Sequence, residues 1–367
     1  MINDGLGIMR ILNVITSMRM GGAEKLLSDM LPIMRKKGVD VDLLVFDGVG
    51  TPLMKIINEN GINVYTLGKN VNVYSPQFIS RIIPFLKKYD VVHTHNTACQ
   101  LFVAVASLFV SRKELPVLVT TEHSTTNRRR NKPFLEWVDR WMYSRYNHIV
   151  AISHKVKDNL LQALGKRAPQ IHIIYNGICL NDYKKECPLQ LKKNAGEVVL
   201  TMVAAFRRGK DQMTLIRTIA ELPDNYTLYL VGDGEQKEAN VELAHSLGVQ
   251  ERVHFMGIRS DVPAILKASD VVLMSSEFEG FSLSAVEGMA SGRPVLASDV
   301  DGLHEIVGGA GILFELGNER QLAIKIQDIM EDKELYNKTV GQCLERAAEF
   351  DAEVMADNYL RLYGVKL

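Results

Sequence analysis

The sequence predicts two successive α/β domains, each built on a mostly parallel sheet with helices on both faces. Three observations carry this. At 367 residues the chain is too long for one ordinary domain and comfortable for two. Short apolar segments alternate with helix-period segments along its length, the pattern of βαβ units. The alternation lapses once, at 178–196, where ICLNDYKKECPLQLKKNAG is polar, Lys-rich and without period. The expected division is a first domain over 1–180, a linker over 181–196, a second domain over 197–345, and a closing helix over 346–367 that packs back on the first domain. Hydrophobic residues at 47% and charged residues at 23% suit soluble domains with a core apiece.

In the first half, strands are expected at 10–15 (RILNVI), 40–46 (DVDLLVF), 63–67 (NVYTL), 91–95 (VVHTH), 116–121 (PVLVTT), 148–153 (HIVAIS) and 171–176 (IHIIYN). These near-continuous apolar runs fit strands buried on both faces. Between the first two, 23–38 places Leu26, Leu27, Met30, Leu31 and Met34 on one helical face, and Gly38 ends it. The longest apolar run, LFVAVASLFV at 101–110, is too short to span a bilayer and reads as a buried helix. In the second half, strands are expected at 198–204, 226–232, 252–257, 270–275, 294–298 and 311–315, and three helical stretches close the chain. Ligands of open parallel sheets bind beyond the carboxyl ends of the strands. Both domains should therefore turn their loops toward a shared cleft.

Cys99, Cys179, Cys187 and Cys343 have neither metal nor redox spacing, which points to a reducing compartment. The first residues, MINDGLGI, lack the basic-then-apolar order of a signal peptide, so a cytoplasmic location is expected. The net charge is zero but unevenly spread. Residues 1–183 hold 23 Lys and Arg against 14 Asp and Glu, and 184–367 hold 20 against 29. A basic first half suits an anionic partner, such as a phospholipid surface or a phosphorylated acceptor; ordinary surface variation accounts for the count equally well.

The chemistry-bearing stretches fall in loops after strands. In MRMGGAE (18–24), Gly21 and Gly22 open the first helix, where backbone N–H groups can face an anion; tight strand–helix turns also use glycine for its own sake. No GxGxxG fingerprint follows a strand, which argues against a dinucleotide cofactor. His123 in TTEHS ends a strand, as either a hydrogen-bonding partner for a sugar or a surface histidine. His93 and His95 share one strand face, and with no third ligand of suitable spacing they read as structural. The basic run RRRNK at 128–132 is either a solvated loop or a phosphate or membrane contact.

In the second half, AAFRRGKDQ (204–212) sets Arg207, Arg208 and Lys210 in a loop able to clamp a diphosphate. VGDGE (231–235) puts Gly232 in a turn suited to flank a nucleotide. MGIRSDV (256–262) sets Arg259 beside a helix cap. In EGFSLSAVE (279–287), Ser282 is a natural N-cap, and the first turn behind it can hold a phosphate. Gly280 permits close backbone approach, and Glu279 and Glu287 can accept hydrogen bonds from hydroxyls.

Taken in order, GGAE (21–24), His123, YNGI (175–178), Lys210, GDG (232–234) and the E-x7-E pair of EGFSLSAVE resemble a glycosyltransferase of family 4, the retaining enzymes of the GT-B fold. The resemblance covers nearly the whole chain and is strongest over 198–307. It implies two Rossmann-like domains facing each other across a cleft, transfer from a nucleotide-diphosphate sugar (a UDP-sugar by preference), and no cofactor or metal. It implies that Glu279 contacts the donor sugar's hydroxyls and Glu287 the ribose, and that the backbone of Phe281, Ser282 and Leu283 binds diphosphate oxygens. Lys210 would neutralise the leaving group, Arg259 would lie beside the base, Gly22 would approach the reacting centre, and His123 would touch the sugar near the transferred carbon. One departure stands out. Where the family often carries Arg five residues before the Lys, this chain has Ala205, and Arg207 is the candidate replacement. Asp299 and Asp301 form a D-x-D that is not read as a metal site.

The implied reaction is transfer with retention to a hydroxyl of a glycan or lipid-linked acceptor, in cell-surface polysaccharide or lipopolysaccharide synthesis, at the inner face of the membrane and without nucleic acid. A sugar-nucleotide epimerase on the same fold and a non-catalytic sugar-nucleotide-binding subunit are the alternatives.

Overall fold

The computed structural model describes residues 9–19, 21–123, 133–165, 169–191 and 196–365, with the backbone alone at 133–135. The basic run at 128–132 lies outside them. The chain divides into two compact units, one of residues 1–177 with 352–367 and one of residues 178–351.

The first unit is a seven-stranded sheet. Its strands are β1 (Arg10–Ser17), β2 (Asp40–Asp47), β3 (Val64–Thr66), β4 (Val91–His95), β5 (Val117–Glu122), β6 (His148–Ala151) and β7 (Gln170–Ile173). All neighbours pair in parallel, in the order β3-β2-β1-β4-β5-β6-β7. The crossovers carry α1 (Gly22–Lys36), α2 (Pro52–Glu59), α3 (Gln77–Leu86), α4 (Thr97–Ala106), α5 (Pro133–Tyr143) and α6 (His154–Leu164). The apolar stripe read for α1 is its buried face: Leu26, Leu27, Met30, Leu31 and Met34 are each at most 1% exposed. Each such side chain contributes about 2 kcal/mol on leaving water. Gly38 follows with φ +83°, the left-handed turn that ends the helix without a Cβ clash. The run at 101–110 is buried only in part. Its helix stops at Ala106, and Leu108 and Phe109 emerge 54% and 65% exposed on a 3-10 turn.

The second unit contains α7 (Leu180–Lys185) and a six-stranded sheet of β8 (Val198–Val203), β9 (Tyr226–Val231), β10 (Val253–Gly257), β11 (Val271–Met274), β12 (Val295–Ser298) and β13 (Ile312–Phe314). These are also all parallel, in the order β10-β9-β8-β11-β12-β13. Its helices are α8 (Gln212–Glu221), α9 (Lys237–Ser246), α10 (Val262–Ala268), α11 (Leu283–Ala290), α12 (Asp301–Val307), α13 (Glu319–Glu331) and α14 (Lys333–Ala348). One face of the sheet is sealed by Leu200, Met202, Leu228, Leu230 and Phe314 against Leu215, Ile219, Leu322 and Ile326 of α8 and α13.

Two boundaries differ from expectation. The chain enters the second unit at Ile178, and the segment read as a linker is packed structure: α7 buries Leu180 and Tyr183, Leu189 N–H donates to the Ala264 carbonyl at 2.9 Å, and Lys267 Nζ donates to the carbonyls of Lys184 (3.0 Å) and Glu186 (2.7 Å). The closing helix α15 spans Ala352–Tyr363, starting six residues later than read, and belongs to the first unit. It lies against α1, where Lys37 pairs with Glu353 (3.0 Å) and Asp357 (2.8 Å). Among the described residues no helix is long and apolar enough to cross a membrane.

Candidate active site

In an open parallel sheet, a crevice forms where the strand order reverses and successive loops leave in opposite directions. In the second unit that point lies between β8 and β11. The loop after β8 carries Lys210 and the loop after β11 carries Glu279, and the two side chains meet as an ion pair, Nζ on Oε1. Both are largely withdrawn from solvent, at 14% and 11% exposure, where a charge-assisted hydrogen bond is stronger than at a surface.

The supporting residues fix both loops. Ser276 Oγ donates to the same Glu279 oxygen at 2.9 Å. Ser275 Oγ donates to the carbonyls of Asp211 (2.8 Å) and Lys210 (3.2 Å), and Glu277 N–H donates to the Gly209 carbonyl at 2.9 Å. Ser298 Oγ, on β12, reaches the Ser276 carbonyl at 2.6 Å. Gly302 lies so close that a Cβ there would fall 2.3 Å from the Glu279 carbonyl oxygen.

Behind Glu279, Ser282 caps α11 and its Oγ accepts from Ala285 N–H at 3.3 Å. The N–H groups ahead of Ala285 have no acceptor within the helix, so the α11 N-terminus carries partial positive charge beside the ion pair. Phe281 is buried edge-on against Phe350, with centroids 5.4 Å apart, and Leu283 and Gly280 are half-buried. Glu287 sits mid-helix, half-buried.

Other residues singled out in the second unit have roles within the fold. Gly232 has φ +141°, and a Cβ there would lie 2.1 Å from the Ala204 carbonyl oxygen. The glycine is required by the seating of its own loop, irrespective of any ligand. Arg259 is engaged by Asp261 through two hydrogen bonds, 2.8 and 2.6 Å, on the surface. That contact raises the Arg259 pKa and lowers that of Asp261. Ala205 is exposed, and its carbonyl accepts from Arg207 N–H (2.9 Å) and Gln212 Nε2 (3.1 Å); Arg207 is exposed two residues on. Asp299 pairs with His304 at 2.6 Å.

In the first unit the order reverses between β1 and β4. Gly21 is the N-cap of α1 with extended backbone, and the Glu24 carboxylate curls back so that a Cβ on Gly21 would lie 2.3 Å from it. Gly22 faces open space: among the described residues, its chain neighbours and its own helix backbone aside, no atom lies within 4 Å of where its Cβ would be. Burial raises the pKa of Glu24, opposed by hydrogen bonds to its own backbone and to Asn96. Asn96 Nδ2 donates to Thr16 Oγ1 at 2.9 Å.

His123 follows β5. Parallel pairing sets His95 opposite Thr121, so the next residue on that face, His123, reaches His95. His123 Nε2 and His95 Nδ1 are 3.1 Å apart, and His95 Nε2 is 3.1 Å from Asn13 Oδ1 on β1. Protein surrounds the His123 ring although the residue keeps some exposure, and burial lowers its pKa to about 4. Burial likewise holds His93 and His95 well below the usual histidine value, with repulsion from neighbouring histidines adding to it. His93 anchors the closing helix: its Nδ1 lies 2.6 Å from Tyr363 OH and its Nε2 2.8 Å from Thr121 Oγ1, which meets Tyr359 OH at 3.1 Å.

The residues not anticipated are Asn13, Ser276 and Asn96. Only the left-handed conformation of Asn96 (φ +73°) is unusual for its residue type, and a single sequence does not display it.

Residues 184–342 match the family model described as glycosyl transferases group 1, and residues 20–182 match the one described as glycosyltransferase family 4. N-acetyl-alpha-D-glucosaminyl L-malate synthase of Bacillus anthracis is 27% identical over 283 residues, covering 75% of this chain and 74% of that protein. The UDP-Gal:alpha-D-GlcNAc-diphosphoundecaprenol alpha-1,3-galactosyltransferase of Escherichia coli is 26% identical over 269 residues, covering 68% of each. Among solved structures, Anabaena HepE in complex with UDP superposes with a TM-score of 0.82 at 23% identity, over 97% of this chain and 100% of that one. With two parallel-sheet α/β units and family matches running through both, the chain belongs to the group 1, family 4 glycosyltransferases and has the GT-B fold.

Proposed function

We propose that the chain moves a sugar, with retention, from a UDP-sugar to a hydroxyl of a glycan or lipid-linked acceptor, in cell-surface polysaccharide or lipopolysaccharide synthesis. One observation carries the reading: Lys210 and Glu279 meet at the switch point of the second sheet, beside the N-terminus of α11. A cation, a hydroxyl-binding carboxylate and a row of helix amides in one place suit a sugar diphosphate.

As the bond from the anomeric carbon to the diphosphate oxygen breaks, negative charge grows on the diphosphate. Lys210, Arg207 and the amides of Phe281, Ser282 and Leu283 stabilise it where it develops. Glu279 holds the sugar's hydroxyls and keeps Lys210 in position; Glu287 takes the ribose, and Arg259, once released from Asp261, the base. Gly22 and His123 keep the sugar-contact roles that the family resemblance implies. The acceptor oxygen bonds to the anomeric carbon on the face the diphosphate leaves, and its proton passes to a leaving phosphate oxygen. No metal is needed in this scheme.

UDP is the proposed nucleotide of the donor because the galactosyltransferase above is named for a UDP-sugar and HepE was solved with UDP. The lipid-linked acceptor follows the same relative's diphosphoundecaprenol substrate and the basic first half, which suits peripheral attachment at the inner membrane face.

The test is the configuration of the transferred sugar, followed by NMR of the anomeric proton. Retention is expected; an inverted product rules the mechanism out. Sugar epimerised without an acceptor would point to an epimerase.

A further inference from the structure

Resting on the reading of His123 as a donor-sugar contact, we propose that His95 and Asn13 are positioning residues that fix the tautomer of His123, so that its Nδ1 meets the sugar as a hydrogen-bond acceptor.

The three residues form a line from the floor of the sheet to its carboxyl end. Asn13 on β1 and His95 on β4 are wholly buried, and His123 closes the line beyond β5. The two contacts, 3.1 Å each, use both nitrogens of His95. An amide oxygen only accepts, so Oδ1 of Asn13 requires the proton on His95 Nε2. Neutral His95 then has a bare Nδ1, which accepts from Nε2–H of His123. With its proton committed inward, His123 keeps a lone pair on Nδ1, an atom without a partner among the described residues. Burial keeps all three histidines of this face neutral near pH 7, so each ring has one donor and one acceptor and the choice passes along the line.

The neighbouring polar groups do not disturb this order. His93 lies against the His95 ring, centroids 4.1 Å apart, with its own nitrogens taken by Tyr363 and Thr121. The Asn13 Nδ2 is buried without a partner among the described residues. A buried amide usually has both ends engaged. Here one end is given up while the oxygen is kept on His95. The opposite amide orientation would give His95 a donated N–H and reverse both tautomers, so one chemical fact separates the two arrangements.

The consequence is a limit on chemistry. A His123 whose Nδ1 only accepts can take a hydrogen bond from a donor-sugar hydroxyl but cannot protonate the leaving group. That leaves the acceptor's proton to the departing phosphate.

The test is long-range 1H–15N NMR of the full chain with 15N-labelled histidine at pH 7.5, with His123 assigned by its loss in His123→Gln. The expected wild-type signal is a protonated Nε2 and a bare Nδ1. Asn13→Leu should mix the tautomers and lower kcat by about tenfold, the worth of one hydrogen bond, whereas Asn13→Asp, whose ionised carboxylate accepts from His95 Nε2–H, should restore both. Turnover is read as UDP released from UDP-glucose, UDP-galactose and UDP-N-acetylglucosamine. A wild-type His123 protonated on Nδ1 overturns the proposal, and that spectrum needs no variant at Asn13 to fold. An unchanged tautomer or unchanged kcat in a folded Asn13→Leu overturns it as well. Wild-type turnover by His123→Gln would overturn the reading of His123 itself, which the Asn13 spectra cannot do.

Discussion

At the residue scale, the histidines of the first sheet tie the site to stability. His93, His95 and His123 have folded pKa values held down by burial, His123 to about 4 from an ordinary 6.5. Below pH 6.5 the unfolded chain therefore binds protons that the folded chain refuses. The stability these groups supply is complete above 6.5 and is lost as pH falls toward their lowered folded values. Melting temperature should drop from pH 7 to pH 5, and His123→Gln should drop less steeply than wild type. Equal slopes would mean that His123 titrates alike in both states. The contacts of these histidines were hidden in the sequence for a simple reason. His95 and His123 are 28 residues apart, and only the parallel register of β4 on β5 brings them together.

At the element scale, two glycines read from similar loops differ in kind. Gly232 sits at φ +141° against the Ala204 carbonyl, so Gly232→Ala should cost about 2 kcal/mol or more in denaturant unfolding. Gly22 has open space where a Cβ would point, so Gly22→Ala should leave stability within about 0.5 kcal/mol of wild type and reduce transfer through the proposed approach of the sugar. If Gly22→Ala unfolds readily, or transfers normally, the two roles have been exchanged or misread. The strands were legible throughout because parallel strands buried on both faces are written as runs such as VVLTMV and YTLYLV. Helix α7 was not: in six residues it offers only Leu180 and Tyr183 to the core, amid lysines that read as a linker. The Lys210–Glu279 pair lay between these cases. Each residue stood out in its own loop, while their meeting depends on β8 and β11 being neighbours, 69 residues apart in the chain.

At the scale of the whole molecule, the closing helix and the charge distribution matter most. Helix α15 belongs to the first unit, anchored by Tyr359 and Tyr363 on Thr121 and His93. Its anchors were not readable in the sequence, since buried tyrosine–histidine contacts leave no period. The excess of 23 basic over 14 acidic residues in 1–183 leads to a further expectation: co-sedimentation with vesicles rich in anionic lipid, weakening as salt rises. Binding that ignores salt and lipid charge would exclude an electrostatic attachment.

The most direct measurement of the central claim, that the switch point between β8 and β11 grips the donor's diphosphate through Lys210, is calorimetric titration of UDP into wild type and Lys210→Ala. Wild type is expected to bind and Lys210→Ala to bind about tenfold or more weakly, with its melting temperature near wild type. Equal affinity for UDP in the two proteins would contradict the assignment.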